Sequence, residues 1–165
     1  MIAKTRLSLI ILMTLFLPAL AWTYVATGEL PLAYGEQVWK YITETDPYSQ
    51  WELWPGTERL FKGKHPHGSF LTTYVSSGAL RAIKNRESVF PNGAMIVKDN
   101  FSPDKQLAAV TVMYRIKGYN PDAGDWFWVK FKPDGAVESE GKVQGCINCH
   151  MGKIDNDWAF TGPLK

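Results

Sequence analysis

The sequence lacks the excess of positive charge that a nucleic-acid-binding protein carries. Its 165 residues include 18 Lys and Arg against 16 Asp and Glu, which gives a formal net charge of +2. Two of the 18 basic residues, Lys4 and Arg6, lie near the N-terminus, and the rest of the chain has 16 basic and 16 acidic residues. A chain with equal numbers of positive and negative charges has no net positive charge with which to attract nucleic acid, so we exclude nucleic acid as a partner.

The sequence also lacks internal repeats, low-complexity tracts and any stretch that reads as an interdomain linker. Apolar residues make up 45% and charged residues 21%, which are the proportions of an ordinary folded protein. A chain of this length can bury one proper core but hardly two. We therefore predict a single folded domain over residues 22–165.

Charged side chains are missing between Arg6 and Glu29. A short basic start, an apolar run and small residues ending at Ala21 are typical of a signal peptide, predicted over residues 1–21. An uncleaved anchor reaching about residue 26 is the alternative, because an apolar stretch of about 20 residues can cross a bilayer. A signal peptide and an uncleaved anchor both predict an exported bacterial protein in the periplasm, which would be attached to the inner membrane in the second case.

Hydrophobic patterning predicts a mostly β domain of the α+β class, with an antiparallel sheet and a few peripheral helices. Strands that follow one another through short connections pair antiparallel. Residues 49–68 mix aromatics with Pro and Gly and are expected to form a packed irregular loop, and 133–145 a turn and a polar excursion. The predicted helices are 32–45 and 77–84, the latter with Ser77 as N-cap, and the predicted strands are 69–75, 93–97, 107–116 and 126–131.

Both cysteines and one of only three histidines stand together in CINCH, as Cys146, Cys149 and His150. Haem c is held by two thioether bonds from cysteines separated by two residues, and the histidine that follows reaches the iron from the same turn. We therefore predict one covalently bound haem c, attached through Cys146 and Cys149. His150 is then the proximal iron ligand.

The same residues have three alternative interpretations: a disulfide, a redox-active dithiol and a zinc site. A disulfide suits an oxidising compartment but would close a very small loop and restrict the unfolded chain little. A thioredoxin-like dithiol needs a βαβ context that the strand pattern does not provide. Zinc needs only four ligands, which the cysteines and two of the three histidines could supply in a non-haem exported binding module.

The sixth iron position decides between an electron carrier and a ligand-binding haem. The candidates are Met95, Met113, Met151, His65 and His67. Met151 adjoins the proximal histidine, and Met95 and Met113 lie in strand patterns where methionine usually fills the core. His65 and His67 lie in a loop, where histidines are usually solvated or hydrogen-bonded. The residues alone leave the sixth ligand open.

Four segments, in the order PNGAMIVKDN, GYNPDAGDWFWVKF, CINCH and DNDWAFT, resemble the cytochrome P-460 family, which includes the cytochromes c-prime-beta. The similarity extends over nearly all of the exported part, from about DPYSQWELWPG onward. It implies a mostly antiparallel β domain with one haem c, often found as a homodimer.

The family contains two activities, and the resemblance implies a role for Lys98 in one of them. Family members that oxidise hydroxylamine have a lysine at this place linked covalently to the haem edge. The c-prime-beta proteins keep a five-coordinate haem and bind nitric oxide and carbon monoxide in a pocket capped by phenylalanine. Taken by itself, Lys98 stands where a predicted strand ends and is expected to be exposed.

Two departures from the hydroxylamine oxidases favour ligand binding or electron transfer. Leu71 replaces an arginine of those enzymes, and the strand 107–116 has no Asp or Glu where they have a pocket carboxylate. With Thr111 or a neighbour in that place, the base that would take protons from hydroxylamine is missing. His67 or His65 could supply a proton-transfer group by another route.

The sequence thus predicts an exported monohaem cytochrome with an open distal side that includes Phe70 and Leu71. Its expected ligands are NO, CO or a related nitrogen oxide, and its expected redox partner is a cytochrome or a quinol-linked chain. The alternative is a hydroxylamine oxidoreductase with a Lys98–haem cross-link. Trp126, Trp128 and Trp158 are expected to pack in the core.

Overall fold

The computed structural model describes residues 29–164, and its main feature is a seven-stranded antiparallel sheet. The strands pair in the order β1-β3-β4-β5-β6-β7, and β2 pairs with β3 beside β1. This sheet with three short α-helices confirms the predicted fold class. The strands are β1 (Glu52–Leu53), β2 (Phe61–Lys62), β3 (Phe70–Val75), β4 (Met95–Phe101), β5 (Leu107–Arg115), β6 (Trp126–Phe131) and β7 (Val137–Gly141).

Alternation along β5 gives the sheet two unlike faces. Val110, Val112 and Tyr114 point to one side, where they join a buried apolar cluster. Thr111 and Met113 point to the other side, which we call the site face. The site face is apolar at one end, where Met113 joins a second buried cluster, and polar at the other.

Helix α1 (Gly35–Lys40) runs on into a π-helical turn (Tyr41–Thr45) and covers the first face. Val38 and Ile42 lie one turn apart, point inward and are fully buried in that cluster. The predicted helix 32–45 therefore exists but begins three residues later, at Gly35.

Helices α2 (Ser77–Asn85) and α3 (Gln144–His150) cover the apolar end of the site face, together with the 3-10 segment Met151–Asn156. The N-cap of α2 is Ser76, not the predicted Ser77. Ser76 has an extended backbone, and its Oγ accepts from the N–H groups of Ala79 at 3.5 Å and Met95 at 2.9 Å.

The sequence predicted β4 too short and did not predict β7. β4 continues to Phe101 instead of ending at residue 97, because β3 and β5 pair with it on both sides and override the weak strand preference of its polar residues. β7 lies inside the predicted polar excursion, and as an exposed edge strand it carries almost none of the apolar alternation that identifies strands. The irregular loop 49–68 is largely as predicted, with β1 and β2 as two-residue strands inside it.

The predicted signal peptide or anchor lies outside the described residues. Among residues 29–164, no helix is long and apolar enough to cross a membrane.

Candidate functional site

Four polar side chains lie side by side across the site face. The register pairs Thr73 with Lys98, Lys98 with Thr111 and Thr111 with Lys130. Because directly paired residues point to the same side of a sheet, they form a row across four strands. This row marks the polar end of the site face, next to the apolar cluster beneath α2 and α3.

Helix α3 carries the CINCH residues on one surface. Cys146, Cys149 and His150 are three and four residues apart, a spacing that brings side chains together on a helix. Both thiols are free, Cys146 half-buried and Cys149 exposed, while His150 is only 7% exposed. Burial beside the second thiol raises the pKa of Cys146, so its sulfur is a neutral thiol. Because both sulfurs are free thiols, Cys146 and Cys149 form no disulfide in this structure.

His150 is held as a neutral imidazole with one nitrogen available. Its Nδ1 lies 2.6 Å from the carbonyl oxygen of Trp158, which only accepts, so Nδ1 donates and Nε2 keeps its lone pair. The rings of Trp128 and Phe160 lie 4.6 Å and 5.1 Å from the His150 ring, centroid to centroid. Burial among them lowers the pKa of His150 to about 4. A ring oriented through Nδ1 is typical of a metal-ligating histidine.

Asp157 fixes the carbonyl that orients His150. Its carboxylate forms an ion pair with Arg115 at 2.7 Å and accepts the N–H of Phe90 at 2.7 Å. Asp157 and Trp158 both have positive φ, 47° and 69°, so the chain turns sharply here and directs the Trp158 carbonyl back toward α3. The segment DNDWAFT resembles the family, but the role of Asp157 within it is defined only by its buried partners Arg115 and the Phe90 N–H.

Asn100 holds a second histidine near the first. Its side-chain NH2 donates to the carbonyls of Lys98 at 2.8 Å and Ala109 at 3.3 Å, so its Oδ1 faces the other way. That Oδ1 lies 2.9 Å from Nδ1 of His67. The His67 and His150 rings are 6.3 Å apart between centroids, nearly perpendicular at 84°. The structure therefore brings two histidines from distant parts of the chain to one place.

Lys98 belongs to this site and is not the exposed residue that the sequence predicted. It lies in the middle of β4, paired on both sides, and is half-buried on the site face. Burial lowers the pKa of Lys98 to about 8. The pKa of His67 is lowered too, by its own burial first and then by the charge of Lys98. The Lys98 amine, partly neutral near physiological pH, therefore lies near the neutral imidazoles of His67 and His150.

The donor set suits haem better than zinc. No group of three or more His, Cys, Asp or Glu side chains that could hold a metal occurs within residues 29–164, which include all the ligands considered for zinc. Within the same range, two buried polar atoms have no partner, Nε1 of Trp128 beside His150 and Oγ1 of Thr73 beside Lys98. Haem brings carboxylate acceptors, two thioether positions and an iron that takes imidazole nitrogen. The residues present fit that group.

Comparison with known proteins decides the family. A family model for cytochrome P460 matches residues 45–161, most of the chain. The chain belongs to the cytochrome P460 family. The predicted resemblance is thereby confirmed, and membership implies a haem cofactor. No curated protein matches the sequence.

Of the residues that the cytochrome P460 resemblance predicted for the distal side, one lies on the site face and one does not. Leu71 is 5% exposed and shares the side of β3 that carries Thr73. Phe70 alternates to the opposite side, where Lys105 lies over its ring at 5.4 Å. The strand β5 has no carboxylate, and Thr111 is the residue of β5 paired with Lys98.

The other candidate ligands are either buried in the two apolar clusters or exposed. Met95 is fully buried in the cluster beneath α1, on the opposite face from Lys98, and Met113 is buried in the cluster beneath α2. Met151 and His65 are exposed. The three tryptophans predicted for the core, Trp126, Trp128 and Trp158, are all buried there.

Proposed function

We propose that this member of the cytochrome P460 family is an exported monohaem c-type cytochrome. Cys146 and Cys149 carry the haem through thioethers, and His150 is the proximal ligand. Bound there, the haem would supply one-electron chemistry and an iron able to take a small diatomic or nitrogen-oxide ligand. One observation carries the proposal: two free thiols and a buried histidine on one turn of α3, with Nδ1 of His150 tied to the Trp158 carbonyl.

The surrounding residues have defined tasks in this proposal. The hydrogen bond from Nδ1 of His150 keeps the ring oriented and its Nε2 unprotonated. Trp128 and Phe160 keep water away from that ring, and Leu71 adds an apolar side chain on the site face. Aromatic rings against His150 and the lack of a carboxylate in β5 favour binding of a small neutral ligand over proton-coupled oxidation.

Hydroxylamine oxidation is the second candidate, and the position of Lys98 favours it. A half-buried amine whose pKa is lowered to about 8 is partly deprotonated near neutral pH, as a nucleophile for a haem cross-link must be. Against this, β5 offers Thr111 where the oxidases of the family have a carboxylate, so the carboxylate that would accept protons in those enzymes is absent from β5. We therefore rank ligand binding and electron transfer first.

Intact mass of the purified, exported protein tests the haem proposal. We expect the chain mass plus one haem after denaturation, with residues 1–21 removed if the signal peptide is cleaved. The Cys146→Ser/Cys149→Ser variant should lack the added mass. A wild-type chain of unmodified mass, isolated from cells that mature c-type cytochromes, would contradict the proposal.

Turnover with hydroxylamine separates the two candidates. We expect wild-type protein to be inert to hydroxylamine with an added electron acceptor, and to bind NO or CO in the ferrous state. Hydroxylamine-dependent reduction of the acceptor that disappears in Lys98→Ala, together with a changed haem spectrum, would favour the oxidase. Reduction of the haem by a cytochrome or quinol donor, and the mass of the native particle, test the proposed redox partner and homodimer.

A further inference from the structure

We propose that His67 is the second axial ligand of the haem iron, opposite His150, and that small ligands bind by displacing it. This inference rests on the proposed function, because it takes His150 as the proximal ligand of a haem. It changes the distal side from an open position to one closed by an exchangeable histidine.

The separation of the two rings is the first argument. A metal–imidazole bond is about 2 Å long, and a ring nitrogen lies about 1.1 Å from the centroid of its ring. Two imidazoles on opposite sides of one metal ion therefore have centroids on the order of 6 Å apart. The centroids of His67 and His150 are 6.3 Å apart.

The hydrogen bonds of the rings are the second argument. The N–H of Gly68 points at Oδ1 of Asn100 from 3.4 Å, which identifies that atom as the acceptor. Nδ1 of His67 therefore donates to it, and Nε2 has the lone pair. His150 has the same arrangement through the Trp158 carbonyl. Within the described residues, neither Nε2 has a hydrogen-bond partner. Both rings are thus held by Nδ1 with Nε2 free, as in metal-ligating histidines.

The loop before β3 also holds His67 in place. The N–H of His67 donates to the Lys64 carbonyl at 3.0 Å, and the N–H of Gly63 donates to the Ser69 carbonyl at 2.9 Å. Gly68 lies so close to β4 that an added Cβ would be 2.5 Å from the backbone of Phe101. His67 is therefore presented by a closely packed turn and not by a freely solvated loop.

The resting spectrum of the ferric protein tests the inference, with His65 as the matched control. Wild-type protein should be six-coordinate and low-spin by visible and electron paramagnetic resonance spectra. His67→Ala should become high-spin and return to low-spin when imidazole is added. His65→Ala, two residues away and exposed, should keep the wild-type spectrum. Lys98→Met should also stay low-spin, which distinguishes His67 from a lysine ligand.

Carbon monoxide binding to the ferrous protein gives a second readout. A bound His67 must leave before CO binds, so the wild-type rate should level off as CO concentration rises. In His67→Ala the rate should stay proportional to CO. If His67 occupies the iron for nine-tenths of the time or more, the apparent affinity for CO rises about tenfold or more in the variant.

A high-spin wild-type protein that already carries covalent haem would overturn the role of His67 and leave the proposed function standing. A low-spin His67→Ala spectrum identical to wild type would do the same. Absence of covalent haem from the wild type would instead refute the proposed function. If His67→Ala does not accumulate, His67→Gln keeps most of the side-chain volume, and the same change to high-spin is required of it.

Discussion

Single side chains at this site act through the protonation and orientation that they impose on their neighbours. The Trp158 carbonyl and the Asn100 amide each decide which nitrogen of a histidine carries the proton. Lys98 is half-buried because it lies in the middle of β4, between two paired strands. At this scale the chemistry follows from hydrogen-bond partners contributed by distant parts of the chain.

Lys98 should make stability depend on pH. Its folded pKa of about 8 lies below its ordinary value of 10.5, so the unfolded chain binds more protons between these values. The whole shift is worth about 3 kcal/mol at about 1.4 kcal/mol per pKa unit. The free energy of unfolding should therefore rise with pH, by about 2 kcal/mol between pH 7.5 and pH 10 relative to Lys98→Met, because this interval covers most of the two titrations. Urea unfolding at pH 7.5 and pH 10 measures this. Parallel pH profiles for the two proteins would mean that no free amine is buried at this position.

Asp157 should contribute to both stability and the haem spectrum. Asp157→Ala leaves the Arg115 guanidinium and the Phe90 N–H without their partner, and removing one member of a buried pair costs about 3 kcal/mol. The Trp158 carbonyl should also shift, which changes the His150 environment and hence the haem spectrum. Urea unfolding and the ferrous spectrum measure both effects. Asp155→Ala, exposed and two residues earlier, is the control and should leave both unchanged.

At the scale of elements, two non-strand segments bring their histidines together on the site face. One is the turn before β3 that carries His67, and the other is α3 with the turn after it. Each is held against the sheet by a few specific contacts, Asn100 for the first and Arg115 for the second. The distance between the two histidines depends on both segments keeping these positions.

Gly68 should be needed for the position of His67. Gly68→Ala places a Cβ 2.5 Å from the backbone of Phe101, so the turn must move away from β4. We expect loss of low-spin character in the ferric protein and destabilisation of about 1 to 3 kcal/mol. Gly152→Ala is the control, since its Cβ meets no atom within 4 Å. A low-spin Gly68→Ala protein with wild-type stability would contradict the packing argument.

On the scale of the whole molecule, residues 29–164 fold around one sheet whose two faces are covered differently. One face is closed by α1 over an apolar cluster, and the other is divided between a second cluster and the polar row. The buried Trp128 Nε1 and Thr73 Oγ1 have no partner in the described part of the chain and lie where the cofactor is proposed. Cofactor and fold are thus expected to stabilise each other.

The covalent haem should therefore be part of the stability of the folded protein. A group that binds the folded chain and not the unfolded one stabilises it by linkage, and a tethered group adds to this by its high effective concentration. We expect Cys146→Ser/Cys149→Ser to melt at a lower temperature than wild type by circular dichroism. Added free haem should restore part of the difference. Equal melting temperatures without any haem would contradict this coupling.

The sequence by itself determined the cofactor prediction, the family and the class of the fold. CINCH could be recognised because its geometry is local: two thioether positions and an iron ligand fall within one helical turn. The main strands could be recognised where one or both faces are apolar, as in β5 and β6. The ends of β4 and the edge strand β7 could not, because pairing with neighbours determines them.

Only the tertiary structure decided which residues surround the proposed haem. Phe70 and Leu71 are neighbours in sequence, yet strand alternation places them on opposite faces. Lys98 is half-buried because β3 and β5 pair with it on both sides. His67 reaches His150 because Asn100, fixed by the carbonyls of β4 and β5, holds its Nδ1. These contacts join residues far apart in the chain, and no local pattern encodes them.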